Sequence, residues 1–287
     1  MLGLPLRYLS RYPLRGLRVL AGHPGETWGR IYDEYVYAAE RRRSPPTYQA
    51  QPDWQARLHA ALSVPFPCGG TAEAEALWPA IAATLRTRGI EIGPESYLHW
   101  NDGDPALICA IWCLIRHLKP LRVVETGVAH GVSSRFILEA LALNGAGQLW
   151  SIDLPPVEHD WAEQIGIAVD ERNAERWQLI RGASRIHLPP LLAELGTIDM
   201  FIHDSLHSAR NLRFELDRAW TALGPGGAII VDDIDANDVF GTFVAAYRPA
   251  LALVCEAEPV RPDSRRSNGK GFFGIMLKAT AAPATRN

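Results

Sequence analysis

The sequence predicts an α/β fold in which a mostly parallel, doubly wound sheet carries helices on both faces. Three observations support this prediction. Short apolar segments alternate with helical segments from Asn101 onward. Those short segments are apolar throughout, which is typical of strands buried on both faces. The last two follow each other without a helix between them, which predicts an antiparallel hairpin at the C-terminal edge of the sheet.

Residues 1–100 precede this pattern and are predicted to form a helical N-terminal extension. The segments "GETWGRIYDEYVYAAERRR" and "TAEAEALWPAIAATLRTRG" have helical apolar spacing, and Gly89 suits a helix C-cap. The polar, proline-containing stretch "SPPTYQAQPDW" between them is predicted to be a loop. Residues 1–22 contain four arginines and no acidic residue, so we interpret them as a docking arm or as a basic segment that makes weak contact with an anionic membrane surface.

Residues 101–280 carry the α/β pattern, and residues 281–287 form a short tail. The first helix is predicted to begin at Pro105 behind an Asp104 N-cap. The parallel strands are predicted at Leu121–Glu125, Gln148–Asp153, Trp177–Ile180, Ile198–His203 and Ala228–Asp232. The edge hairpin is predicted from "ALALVCEAE" and "GFFGIMLKA". This order is that of a Rossmann-like sheet.

Composition excludes several classes of protein. The net charge of −3 gives no global positive field, so we expect no nucleic-acid partner. There is no apolar run of spanning length and no secretory signal, and four scattered cysteines do not form a disulfide framework, so we expect a cytoplasmic protein. Cys109, Cys113 and His117 recur every fourth residue; we interpret them as buried residues of an apolar helix, with a metal site as the alternative. The sequence leaves open whether the chain forms a homo-oligomer.

Polar residues collect where the predicted parallel strands end. Ligands of open parallel sheets bind beyond the carboxyl ends of the strands, so these residues mark a site. The strand ends carry Glu125-Thr126-Gly127, Asp153, Gly182-Ala183-Ser184, Asp204 with His207, and Asp232-Asp233.

The turn after the first strand, "VVETGVAHGVSS", indicates the kind of ligand. Gly127 and Gly131 give a G-x-x-x-G spacing, which lacks the glycine fingerprint that binds the pyrophosphate of a dinucleotide. It suits a ligand with adenosine and ribose but no phosphate. Asp153 fits a carboxylate that accepts hydrogen bonds from a ribose, while Ser133 and Ser134 stand where a helix start can hold the carboxylate of an amino-acid tail.

The stretch from about Gly103 to Lys278 resembles the class I S-adenosylmethionine (SAM)-dependent methyltransferases, in the branch that methylates hydroxyls of small molecules such as catechols and sugars. The resemblance is carried by "VVETGVAHGVSS", "WSID", "RGAS" and "ALGPGGAIIVDD", and spans about three-fifths of the chain. It implies SAM as cofactor, bound by Glu125, Gly127, Gly131, Ser133, Asp153, Ala183, Ser184 and Asp204.

The resemblance also implies a metal. Relatives of the catechol and sugar type use an Asp after the fourth strand and an acidic pair after the fifth, which here are Asp204, Asp232 and Asp233. Carboxylate oxygens suit a hard cation, so we expect Mg²⁺, which would lower the pKa of an acceptor hydroxyl. The alternative is that Asp232-Asp233 closes the cofactor pocket and binds no ion.

The catalytic base is where the sequence departs from the family. Sugar-modifying relatives often have D-G-D after strand four, whereas Leu206 stands at the position of the second Asp. His207 is the nearest candidate base, beside Asp204, and the alternative is that His207 caps the following helix or binds the cofactor. His203 is interpreted as structural, because strand alternation points it the other way.

The sequence thus predicts a SAM-dependent O-methyltransferase that acts on a sugar, glycolipid or secondary metabolite. The N-terminal helices and the Arg261–Lys270 stretch are expected to shape the acceptor pocket. Three alternatives stay open: a metal-free methyltransferase that uses His207, a non-catalytic SAM-binding scaffold, and an NAD-dependent oxidoreductase.

Overall fold

The computed structural model of the chain describes residues 24–40, 46–90, 104–154, 163–258 and 271–280. The basic segment at residues 1–22, the Arg261–Lys270 stretch and the tail at residues 281–287 lie outside the described residues. The predictions made for them therefore stay predictions.

A seven-stranded sheet forms the centre of the molecule, in the order β3-β2-β1-β4-β5-β7-β6. Strands β1 to β5 are parallel, and β7 pairs antiparallel with both β5 and β6. The predicted sheet and its C-terminal edge hairpin are thus confirmed. The strands are β1 Arg122–Thr126, β2 Gln148–Asp153, β3 Trp177–Arg181, β4 Ile198–His203, β5 Leu223–Val231, β6 Leu251–Glu256 and β7 Phe272–Leu277.

Strand β5 departs furthest from its predicted bounds, whereas β1 is shifted by one residue at each end. Strand β5 begins at Leu223, five residues earlier than predicted, because Leu223 pairs with Ile198 across an irregularity in the register. It ends at Val231, so Asp232 lies just beyond the strand and not within it. Both aspartates of the acidic pair therefore stand in the connection that leaves the sheet.

Helices cover both faces of the sheet, as the apolar strands predict. They are α1 Pro24–Glu40, α2 Trp54–Ala61, α3 Gly70–Thr87, α4 Pro105–Leu118, α5 Val132–Asn144, α6 Ser184–Leu195, α7 Ala209–Ala222 and α8 Val239–Tyr247. Successive strand residues enter opposite cores: Val123 packs with α2, α3, α4 and α5, whereas Val124 packs with α6, α7 and α8. This alternation makes the sheet a buried middle layer.

The predicted extension shares the core of the sheet. Its described residues contain three helices, and Leu58 of α2 and Ile81 of α3 are completely buried in the same apolar cluster as α4 and α5. The loop at Tyr48 and Gln51 also docks on the C-terminal half, because the Gln51 backbone N–H donates to Val254 O over 2.9 Å. Among the described residues no helix is both long and apolar enough to cross a membrane.

Candidate active site

The glycine turn after β1 is packed so closely that a side chain would not fit. Gly127 has φ +85°, and a Cβ atom there would lie 1.8 Å from the backbone oxygen of Asp204. Gly131, the N-cap of α5, has φ +81°, and a Cβ there would lie 2.7 Å from Gly166 Cα. Only glycine combines this left-handed backbone with such contacts. The turn is therefore in direct van der Waals contact with the segment that carries Asp204.

The Glu125 side chain connects β1 with the start of α5 through hydrogen bonds. Its carboxylate is fully buried and accepts hydrogen bonds from the hydroxyls of Ser133 (2.8 Å), Ser134 (2.6 Å) and Ser151 (2.8 Å). Burial raises the pKa of Glu125 to about 7, although the three hydroxyls act in the opposite direction. The hydroxyls of Ser133 and Ser134 thus bond to Glu125, and the prediction that this helix start holds the carboxylate of the ligand stays a prediction.

Asp153 closes the other side of the same turn. Its Oδ2 atom accepts from the backbone N–H of Val128 (2.7 Å) and of Ala129 (3.0 Å). The backbone oxygen of Asp153 accepts from Gly182 N at 2.7 Å, which brings the end of β3 beside the end of β2. The predicted contact of this carboxylate with a ribose stays a prediction.

Ala183 and Ser184 stand where α6 begins. Ala183 is the N-cap, and Ser184 is the first helical residue. The Ser184 hydroxyl hydrogen-bonds Glu215 of α7.

His130 lies in the glycine turn after β1. Burial lowers the pKa of His130, whose Nε2 atom lies 3.3 Å from Gln164 Oε1.

An acidic cluster lies beyond the ends of β4 and β5. One ligand atom each from Asp204, His207 and Asp232 lies within 4.8 Å of the others. His207 Nε2 is 3.8 Å from Asp204 Oδ1 and 3.8 Å from Asp233 Oδ2. The structure therefore brings together all four residues predicted for metal binding and catalysis, with His207 more central than Asp233.

Electrostatics make this cluster receptive to a cation. Burial, followed by the neighbouring Asp232 and Asp233 carboxylates, holds the pKa of Asp204 well above its usual range. Carboxyl groups crowded in this way repel one another when ionised, and a bound cation removes that repulsion. His207 is not the helix cap, because Ser208 caps α7 by accepting from Asn211 N at 3.2 Å.

Sequence reasoning missed Glu215, which is fully buried in α7. Its carboxylate accepts from Thr126 Oγ1 at 2.6 Å and Ser205 Oγ at 2.9 Å, and lies 2.7 Å from His203 Nδ1. His203 is fully buried, and the prediction that it is structural stays a prediction. The network joins the end of β1 to the loop that carries Asp204 and His207. An acid on the apolar face of a predicted helix was the available signal.

Comparisons with known proteins agree with this geometry. A family model described as "Methyltransferase domain" matches residues 124–234. No curated protein matches the chain. Two solved structures have the same fold: the O-methyltransferase TomG of Streptomyces achromogenes, described in complex with SAM, and an O-methyltransferase of Bacillus cereus, described in complex with SAH.

These likenesses are of overall fold. TomG is 16% identical, with a TM-score of 0.52 over 78% of this chain and 96% of its own. The Bacillus cereus enzyme is 16% identical, with a TM-score of 0.52 over 78% of this chain and 97% of its own. The methyltransferase domain model matches residues 124–234, a stretch that includes both the glycine turn and the acidic cluster. The two solved structures show that the chain has the fold of SAM-dependent O-methyltransferases.

Proposed function

We propose that the protein transfers a methyl group from SAM to a hydroxyl of a small molecule, assisted by Mg²⁺. The observation that carries the proposal is the convergence of Asp204, His207 and Asp232 beside the glycine turn. A methyl donor that lies along the turn presents its sulfonium end to the strand ends, which is where these groups collect. Methyl transfer needs an acceptor oxygen that is positioned and freed of its proton, and this cluster offers both functions.

The donor set fits a divalent cation. Asp204 and Asp232 would hold the ion through carboxylate oxygens, which is the chemistry that Mg²⁺ prefers, and His207 Nε2 lies in the same cluster. When bound, the ion supplies Lewis-acid activation of an acceptor hydroxyl. Asp233 Oδ2 lies 3.8 Å from His207 Nε2, the same ring atom that faces Asp204.

A metal-free transfer is the second candidate, and His207 carries it. Its Nε2 atom lies 3.8 Å from one oxygen each of Asp204 and Asp233, and this is the atom that would accept the proton of the acceptor hydroxyl. In this version Asp204 and Asp233 position the base and bind no ion. Removal of divalent cations distinguishes the two candidates.

The acceptor is proposed to enter beneath α1. Glu40 of α1 accepts from the backbone N–H of Ala209 at 2.8 Å, and Asp33 accepts from Arg210 at 2.9 Å. Helix α1 thus lies over the start of α7, two residues after His207. A helix in this place limits the acceptor to a small molecule, and TomG, involved in tomaymycin synthesis, is a structural relative of that kind. Sugars, glycolipids and secondary metabolites with free hydroxyls are the classes to test.

Turnover tests the proposal directly. SAH release from SAM is measured over a panel of catechols, phenols and sugars, with and without EDTA. We expect release with at least one acceptor, its loss in EDTA, and its recovery when Mg²⁺ is added back. Unchanged turnover in EDTA would contradict the metal and leave His207 as the group that activates the acceptor hydroxyl. SAM binding without SAH release on any acceptor would favour a non-catalytic scaffold.

The Asp232→Asn variant tests the metal ligand. It keeps the size of the side chain and removes its charge, so we expect turnover to fall by at least about 100-fold, the scale of several kcal/mol of lost charge stabilisation. Calorimetry should show unchanged SAH binding and lost Mg²⁺ binding. Asp217→Asn, in α7 and away from the strand ends, is the matched control and should retain both.

A further inference from the structure

A second cluster of metal-ligating side chains lies outside the methyl-transfer site, between the N-terminal helices and α4. It consists of His59 from α2, Cys68 from the loop before α3, and Cys113 and His117 from α4. Cys68 Sγ lies 3.0 Å from His59 Nε2, 3.4 Å from His117 Nε2 and 4.0 Å from Cys113 Sγ. Three soft and borderline donors thus lie close to one another, and His117 lies close to Cys68 among them.

These separations, from 3.0 to 4.0 Å, lie within about 0.4 Å of those around a tetrahedral zinc ion. Zn–S bonds of about 2.3 Å and Zn–N bonds of about 2.0–2.1 Å place neighbouring donors roughly 3.4–3.8 Å apart. One ligand atom each from His59, Cys68 and Cys113 already lies within 4.8 Å of the others. His117 Nε2 lies 3.4 Å from Cys68 Sγ but outside this mutually close group, which makes it the candidate for the fourth donor of a Cys₂His₂ set.

The orientation of His59 adds a second, independent observation. Its ring is almost fully buried, and Nδ1 lies 2.7 Å from the backbone oxygen of Gln55. That carbonyl accepts the Nδ1 proton, which leaves the lone pair of Nε2 directed at Cys68. A backbone acceptor that fixes the tautomer of a histidine is the usual outer-shell arrangement of a zinc ligand.

The start of α3 lies against the same two sulfurs. A Cβ atom on Gly70, the first residue of this 18-residue helix, would lie 3.3 Å from Cys68 Sγ and 3.5 Å from Cys113 Sγ. The sulfurs therefore lie at the N-terminus of the helix, which no side chain of the described residues caps. The positive end of a helix dipole favours negative charge at this point.

We propose that His59, Cys68, Cys113 and His117 bind one Zn²⁺ ion, which fastens α2 and α3 to α4. All four positions are taken by protein side chains, which is typical of a structural ion and not of a catalytic one. The ion would tie the N-terminal helices to the first helix of the methyltransferase domain. Two thiolates neutralise its charge, so the site is compatible with a half-buried position.

Metal content tests the proposal on the full-length chain. The protein is produced in zinc-supplemented medium and purified without chelators, and its metals are measured by mass spectrometry. We expect one zinc per chain in the wild type and in Asp232→Asn, because the site is separate from the acidic cluster. Cys68→Ser and Cys113→Ser should lower zinc affinity by more than about tenfold. Cys255→Ala, which removes a buried thiol of β6, is the control and should keep the ion.

Two further measurements keep the test valid if a cysteine variant misfolds. Cobalt added to the reduced, metal-free wild type should give the thiolate charge-transfer band and the intense visible bands of tetrahedral coordination. Zinc should slow the alkylation of Cys68 and Cys113 and leave that of Cys255 unchanged. Substoichiometric zinc together with no cobalt spectrum would overturn the proposal. A Cys68–Cys113 disulfide in the purified protein, seen as a mass two hydrogens lower, would also overturn it.

Discussion

Glu215 shows how one buried carboxylate orders the site without lying in it. It is enclosed by Thr126, His203 and Ser205, so it ties the end of β1 to the end of β4. Burial alone would raise the pKa of Glu215, but His203 and the hydroxyl donors outweigh it and lower the pKa to about 2. Glu215 therefore helps to hold the segment that carries Asp204 and His207, through its bond with Ser205.

Replacing Glu215 by Gln tests that role. A folded-state pKa depressed below the unfolded value stabilises the protein above pH about 4.5, and this contribution is lost as pH falls toward 2. Glu215→Gln should weaken the acid dependence of the unfolding free energy in that window. It should also cost about 1–3 kcal/mol at neutral pH, because an NH₂ group faces donors. Urea unfolding at several pH values measures both effects. An acid dependence identical to that of the wild type would contradict the role, and Glu194→Gln, exposed in α6, is the control.

His203 and Glu215 also show which properties of single residues can be predicted from the sequence and which cannot. Strand alternation predicted that His203 points away from the ligand, and the structure places its buried ring edge-on against that of His207, with centroids 5.4 Å apart. The partner of His203 could not be found, because Glu215 comes twelve residues later on a helix whose angle to the strand depends on packing. The serines after Gly131 illustrate the same limit: their hydroxyls fold back onto Glu125, eight and nine residues earlier.

The β1–turn–α5 element is the part of the site that the sequence specifies most fully. The two glycines, the strand and the helix start all lie within a residue of their predicted places. Local steric rules decide such a turn, so a local pattern predicts it. The local pattern does not predict which residue the turn contacts. Gly127 lies against Asp204, which follows a different strand.

A comparison of Gly127→Ala with Gly145→Ala separates the effect of backbone strain from the effect of the contact with Asp204. Gly145, at the other end of α5, also has a positive φ of +73°, but no atom of the described residues lies within 4 Å of the place that a Cβ would take there. Both alanine variants bear about 1–2 kcal/mol of backbone strain. Gly127→Ala adds an overlap with Asp204, which we expect to cost about 1–3 kcal/mol more and to weaken SAH binding.

Thermal unfolding and SAH calorimetry of the two variants measure the difference. Gly145→Ala should bind SAH like the wild type, because its turn lies at the far end of the helix. Equal stability losses and equal SAH affinities in both variants would show that Gly127 does not press on the Asp204 segment.

At the scale of the whole molecule, alternation along the chain predicts the sheet but not what covers it. The parallel order and the edge hairpin follow from apolar runs and connection lengths, which are local quantities. Contacts between segments that are far apart in the sequence cannot be predicted from these local quantities. Val254 N donates to Gln51 Oε1 across 203 residues of sequence, and the Cys68 thiol meets α4 in the same way. The spacing of Cys113 and His117 on α4 was visible, whereas His59 and Cys68 joined them only in the fold.

The function of the whole chain depends on whether the turn after β1 binds a phosphate-free adenosyl ligand or a dinucleotide. Isothermal calorimetry of the full chain with SAH and, separately, with NADH distinguishes the two. We predict stoichiometric binding of SAH and no binding of NADH, because the Gly127–Gly131 turn lacks a pyrophosphate cradle. Binding of NADH without binding of SAH would contradict the assignment of this chain as a methyltransferase.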